Sequence, residues 1–412
     1  MNQSKRYPWI VVGLLWVVAL LNYMDRQMIS TMKPAMQIDI AELQSATNFG
    51  RLMAIFLWVY GLMSPFAGMI ADKVNRKWLI VISLFVWSAV TFSMGYATTY
   101  NQLYWLRALM GVSEALYIPA GLAMIADYHS DKTRSLAVGL HLSGLYVGQA
   151  LGGFGATIAD KFSWSATFHS FGFIGMGYAF ILIFFLQEKK GVYAEMPTKD
   201  APLVKRTSPF KGVAVLLSNF SFWIMIFYFA IPSLPGWGIK NWLPTLFAQN
   251  LNIGMGTAGP ISTITISVSS LIGVLVGGKL SDKWAQTNIK GRVYTSAIGL
   301  GLTIPALLLI GFGHSMFHVI GSAFCFGFGF GMFDTNNMPL LCQIVPAKYR
   351  ATAYGLLNMA GIMAGAFITD LLGKSSDSGK LGNGFAIMAA VVFIALLLQL
   401  FLFKPKPSTS LE

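Results

Sequence analysis

The chain has 412 residues, of which 55% are hydrophobic and only 11% charged, with a mean hydropathy of +0.62. Soluble domains carry about 25% charged residues, so a water-soluble enzyme or scaffold is excluded. The net charge of +13 does not indicate a nucleic-acid partner, because the basic residues sit at the ends of apolar runs.

Those runs, each about 20 residues long, match what a helix needs to cross a hydrocarbon core of roughly 30 Å. Twelve spans are expected, at 9–33, 47–70, 78–98, 101–127, 135–159, 164–186, 219–248, 258–280, 294–313, 316–343, 351–373 and 383–403. The first is too long for a signal-peptide apolar region and lacks a small-residue cleavage site, so it reads as a retained span. The fold class is all-α, a polytopic membrane protein. Residues 187–217 are the longest polar stretch, with Pro197, Pro202 and Pro209 expected to break any regular element. They divide a six-helix bundle at 1–186 from a second at 218–412.

Lysine and arginine gather on one side: Lys5, Arg6, Lys73, Arg76, Lys77, Lys132 and Arg134, then the central loop, and later Lys283, Arg292, Lys348, Arg350 and Lys404. The positive-inside rule makes that side cytoplasmic, with both termini on it. Short loops and compact length point to a bacterial inner membrane.

The halves repeat each other. Gly68-x-x-x-Asp72-Lys73 follows the second span and Gly278-x-x-x-Asp282-Lys283 the eighth, while Arg134 to Gly139 enters the fifth and Arg350 to Gly355 the eleventh. Duplicated bundles with a site between them near the midplane are a transporter architecture, and one chain encloses the whole pathway, so a monomer suffices.

Chemistry-bearing residues are few. Cys325 and Cys342 read as packing residues, and His129, His141, His169, His314 and His318 lack ligand spacing, so no metal, cofactor or enzymatic centre is expected. Gly144, Gly148 and Gly152 form a small-residue stripe, a packing and rocking surface rather than a phosphate loop. His141 and Gln149 are weak site candidates.

Charge at membrane depth marks a functional site, because each such residue costs about 2.5–3.5 kcal/mol on insertion scales. Asn22, Asp25 and Arg26 share one helical stripe in the first span, and Arg107, Gly111 and Glu114 share another in the fourth. Arg26 can grip a planar carboxylate with two parallel hydrogen bonds. It could equally be locked in an ion pair with Asp25 or Glu114, and Glu114 could merely neutralise Arg107. Low dielectric disfavours a charged carboxylate, so Asp25 and Glu114 are the expected proton carriers, with an incoming anion competing with Asp25 for the guanidinium.

In the second half Trp237, Lys240 and Asn241 share a face of the seventh span, where Pro232 to Pro244 suggest an unwound or bent helix. Lys240 is either a second cation for a larger acidic solute or the partner of Asp334 in the tenth span. Asp334, Asn336 and Asn337 put three polar groups in one turn, of which Asn336 points away from the others. Tyr60 is a candidate cavity residue from the second span.

Over essentially its whole length the chain resembles the major facilitator superfamily. The loop Gly68-Met-Ile-Ala-Asp72-Lys73-Val-Asn75-Arg76-Lys77 is similar to that family's signature, with Asn75 where glycine is usual, a residue that tolerates a left-handed turn. The resemblance implies a gating clamp for Asp72 and Arg76. A narrower resemblance is carried by Asn22-Tyr-Met-Asp-Arg26, Arg107-x-x-x-Gly111-x-x-Glu114-Ala115 with Pro119, Trp242-Leu-Pro-Thr245, and Asn358 with Gly361 and Gly365. It is to the anion:cation symporter branch, and implies proton-coupled uptake of sugar acids such as hexuronates and aldonates. The Spinster-like lipid transporters share the first two motifs and form the alternative. The expected solute contacts are Arg26, Tyr60, Lys240, Asn241, Asn337 and Asn358. Asp25 and Glu114 would carry protons, and Asp72, Arg76, Arg107 and Asp334 would gate or support.

Overall fold

The computed structural model describes residues 6–71, 74–188, 209–345 and 350–402. Its helices are α1 (Tyr7–Asp39), α2 (Ala46–Ala71), α3 (Arg76–Met94), α4 (Tyr100–Ala115), α5 (Tyr117–Tyr128), α6 (Asp131–Gly152), α7 (Gly155–Lys161), α8 (Trp164–Phe185), α9 (Pro209–Leu217), α10 (Phe220–Leu251), α11 (Met255–Ala285), α12 (Gly291–Phe312), α13 (Met316–Asp334), α14 (Asn337–Cys342), α15 (Arg350–Asp377) and α16 (Leu381–Leu402). Among the described residues 11 stretches are long and apolar enough to cross a membrane, and the shorter Leu136–Gly152 makes the twelfth. Each lies within a few residues of an expected span. Large apolar side chains such as Phe173, Phe184, Leu275 and Phe401 cover the outer surface, as a lipid solvent requires. Pro209 does not break structure: it is the first residue of α9, where its missing N–H costs nothing.

Two spans are broken at matching places. Pro119 and Pro339 remove the N–H that would bond to the carbonyls of Ala115 and Thr335, and the helix is interrupted there in both halves. The residue five before each proline is an acid, Glu114 in the fourth span and Asp334 in the tenth.

α10 contradicts the expected unwinding. It runs unbroken through Pro232, Pro235 and Pro244. Pro244 frees the carbonyl of Lys240, and Gln27 of α1 donates its side-chain amide to that oxygen at 2.8 Å. In the same way Pro260 frees the carbonyl of Gly256, which accepts from Thr157 of α7 at 2.8 Å. Both carbonyls are thus satisfied from the opposite half of the chain.

The halves meet chiefly where α2 packs on α15 and α6 on α11. On the side away from Tyr7, a Cβ at Gly50 would come within 2.9 Å of the Thr369 carbonyl, and one at Gly373 within 2.6 Å of that of Ala46. About five turns further along the same stripes, Gly68 and Gly355 have nothing within 4 Å. α2 and α15 are therefore closed together on the far side and splayed on the near side. Gly144, Gly148 and Gly152 instead face α1 within the first half, their nearest neighbours being Trp16, Leu20 and Met24 to Met28. They pack a bundle interior rather than a rocking surface.

Candidate functional site

The centre of the first half is an ion pair. Arg26 Nε donates to Glu114 Oε2 at 2.6 Å, and Asn22 donates its amide to the same oxygen at 2.9 Å. The Glu114 side chain is 0% exposed and that of Arg26 9%. The contact is single rather than forked, so Arg26 Nη2 and Glu114 Oε1 are buried with no partner. Rings of Tyr60, Phe56 and Tyr23 surround the guanidinium at 4.5, 4.9 and 5.1 Å. Such cation–π contacts soften the desolvation of the charge.

Of the partners open to Arg26, the structure takes Glu114. Asp25 turns to α3, where it accepts from Thr91 at a long 3.4 Å, and is 4% exposed. The competition expected at Asp25 therefore falls to Glu114. Arg107 is also buried, but its Nη1 meets the Met110 sulfur at 3.2 Å and its guanidinium lies 4.7 Å from the Phe56 ring. Gly111 beside it lets α4 approach α2, since a Cβ there would lie 2.7 Å from the Phe56 carbonyl.

From the second half, Lys240 sets its ammonium over Trp237 at 4.8 Å and over Tyr23 of the first half at 5.7 Å. Asp334 accepts from Asn337 at 3.0 Å. It is exposed although it lies inside a span, and its charge is felt by Tyr23, Tyr146, Lys240 and Tyr354 from four different helices. An exposed residue so enclosed faces an internal hollow. Tyr354 is 41% exposed, and Tyr23, Arg26 and Lys240 are partly exposed toward the same space.

Asn241 does not join them: its amide donates to Thr369 at 2.8 Å, tying α10 to α15. Asn336 is fully buried and donates to the Met332 carbonyl, as its turn position implied. Asn358 shares its stripe with Gly361 and Gly365, which press on Phe229, Ser233 and Trp237 of α10. Tyr23, Phe56 and Gln27 were missing from the expected set. The signal for Tyr23 was its position three residues before Arg26, on the same stripe.

Away from the hollow, Arg76 pairs with Asp127 at the near end of the first half, and Arg292 with Asp282 at 2.8 Å in the second. Asp72 lies outside the described residues. Asn75 has φ −54°, so no left-handed turn is needed; its side chain instead caps α3 by accepting from the Trp78 N–H at 3.1 Å. Among the described residues no group of His, Cys, Asp and Glu could hold a metal ion.

The family model for the Major Facilitator Superfamily matches residues 15–369. The chain is 25% identical to a hexuronate transporter of Bacillus subtilis over 93% of each chain. It is 24% identical to a D-galactonate transporter of Escherichia coli, covering 96% of this chain and 94% of that protein. Its fold is similar, with TM-score 0.80, 19% identity and coverage of 96% and 97%, to a crystal structure of a bacterial homologue of the human lysosomal transporter Spinster, in an inward-facing and unoccupied conformation.

Proposed function

The chain belongs to the major facilitator superfamily, and from that premise we propose that this transporter imports a sugar acid of the hexuronate or aldonate kind together with protons. The observation that carries the reading is the half-used guanidinium of Arg26, held by Glu114 through one hydrogen bond with a buried N–H group unmet. A solute carboxylate supplies the missing acceptor. Substrates named for the relatives, a hexuronate and D-galactonate, are carboxylates on hydroxylated chains.

Coupling follows from charge. When Glu114 is ionised it neutralises Arg26, and an arriving anion must compete with it. A proton on Glu114 releases the guanidinium to the solute, so anion and proton favour each other's binding. Asp25, close enough to Glu114 to sense its charge, is a second proton site behind the pair. The near side is the cytoplasm, by the lysine and arginine distribution, and the splayed α2 and α15 then describe an inward-open state.

The test is binding and counterflow in proteoliposomes with a panel of hexuronates, aldonates and lysolipids. A sugar acid should stabilise the purified protein against heat and exchange across the membrane. Stabilisation by a lysolipid with none by any sugar acid would overturn the reading in favour of lipid transport.

A further inference from the structure

The charged pair of the first half has a counterpart in the second. Arg26 lies in the first span and Glu114 in the fourth, just before its proline break. Lys240 lies in the seventh, the repeat-equivalent of the first, and Asp334 in the tenth, just before the equivalent break. The two acids each precede their proline by five residues. Duplication has thus placed one cation and one acid on the wall of each half.

The two pairs differ in state. Arg26 and Glu114 are joined at 2.6 Å, whereas the Lys240 ammonium, unlike its carbonyl, forms no hydrogen bond or ion pair among the described residues. Its ammonium rests on the rings of Trp237 and Tyr23, and Asp334 is within electrostatic reach but bonded to Asn337. An ammonium facing a hollow at membrane depth with only ring faces against it has three donors to offer and no acceptor.

Both cations meet one ring: Tyr23 is contacted by Arg26 at 5.1 Å and by Lys240 at 5.7 Å. Cationic groups from opposite halves therefore border the hollow, Arg26 joined to Glu114 and Lys240 with no hydrogen-bond acceptor on its ammonium among the described residues. A solute with a single carboxylate satisfies one of them. We propose that Lys240 is a second anion subsite, and that the preferred solute bears an anionic group at each end, a sugar diacid rather than a monoacid. This rests on the reading of Arg26 as the carboxylate site. A diacid would also bridge α1 and α10, so its occupancy would tie the two halves together.

The test compares matched pairs on one carbon skeleton, an aldonate and the corresponding aldarate, by calorimetric titration of the purified full chain. The wild type should bind the aldarate at least about tenfold more tightly. Lys240→Gln should erase that advantage, costing the aldarate at least about tenfold more affinity than the aldonate, while Lys240→Arg should keep it. Melting temperatures of both variants establish that they fold. Equal binding of the two acids by the wild type, or an equal loss of both in Lys240→Gln, would overturn the proposal while leaving the Arg26 reading intact. Failure of both acids to bind the wild type would overturn the two together.

Discussion

Asp377, the last residue of α15, holds Thr47 by both its backbone N–H and its hydroxyl, at 2.9 and 2.7 Å. The same carboxylate accepts from the Ala46 N–H at 2.6 Å and from Ser45 at 2.9 Å. An acid from the second half therefore caps the first turn of α2 in the first, supplying acceptors that α2 cannot supply to itself. Arg51, Asp370 and Lys374 extend the contact one turn inward. The far-side closure thus has a polar latch as well as the glycine packing of Gly50 and Gly373.

Removing the latch should open the far side. Asp377→Ala loses four hydrogen bonds, worth on the order of 1 kcal/mol in total once solvent screening at this exposed site is allowed for. Spin labels on the exposed Glu42 and Lys380 positions should show a longer-distance population in the variant. An unchanged distance distribution would mean that packing alone keeps α2 on α15.

Glu114→Gln keeps an oxygen for Arg26 and Asn22 but removes the charge. Anion binding to the wild type should tighten as pH falls, because protonating Glu114 frees Arg26, and the variant should lose most of that pH dependence. Titrations at several pH values check this. A slope equal to the wild type's would remove Glu114 from proton coupling.

Asp25→Asn should behave differently. Asp25 contacts Thr91 rather than Arg26, so solute affinity should stay within about threefold, a difference under 1 kcal/mol. Accumulation in proteoliposomes driven by a proton gradient should nevertheless fall. Full accumulation would show that Asp25 only packs against α3.

Gly148→Ala tests the seam between α1 and α6. The added Cβ would sit 2.2 Å from the Leu20 carbonyl, a backbone atom that cannot swing aside. Overpacking of this kind costs about 1–3 kcal/mol, so the melting temperature should drop clearly. Gly13→Ala, with nothing within 4 Å, is the control and should not melt lower.

Spans and their order were legible because a helix in lipid must be apolar over its whole length, and that constraint is written residue by residue. The charged stripes around Arg26 and Glu114 were legible for the same reason, since charge at membrane depth is rare. Partner choice was not: Asp25 and Glu114 were both available to Arg26, and only the approach of α4 to α1 decides between them. Continuity of α10 was hidden too, because the acceptor left by Pro244 is satisfied by Gln27, more than two hundred residues earlier. Asp377 is not legible as a latch, because it is a charge at the end of a span, where charge is ordinary. The equivalence of Lys240 and Asp334 to Arg26 and Glu114 needed the two helix breaks to be seen, since the sequence offset alone drifts between repeats.

The proposed transport cycle rests on Arg26 receiving the solute's carboxylate. Titrating wild type and Arg26→Lys with a hexuronate or aldonate tests it most directly, because lysine keeps the charge and loses the planar fork. Binding by the wild type with at least about a tenfold loss in the variant is the expected result. Equal affinity in the two, with both proteins folded, would contradict it.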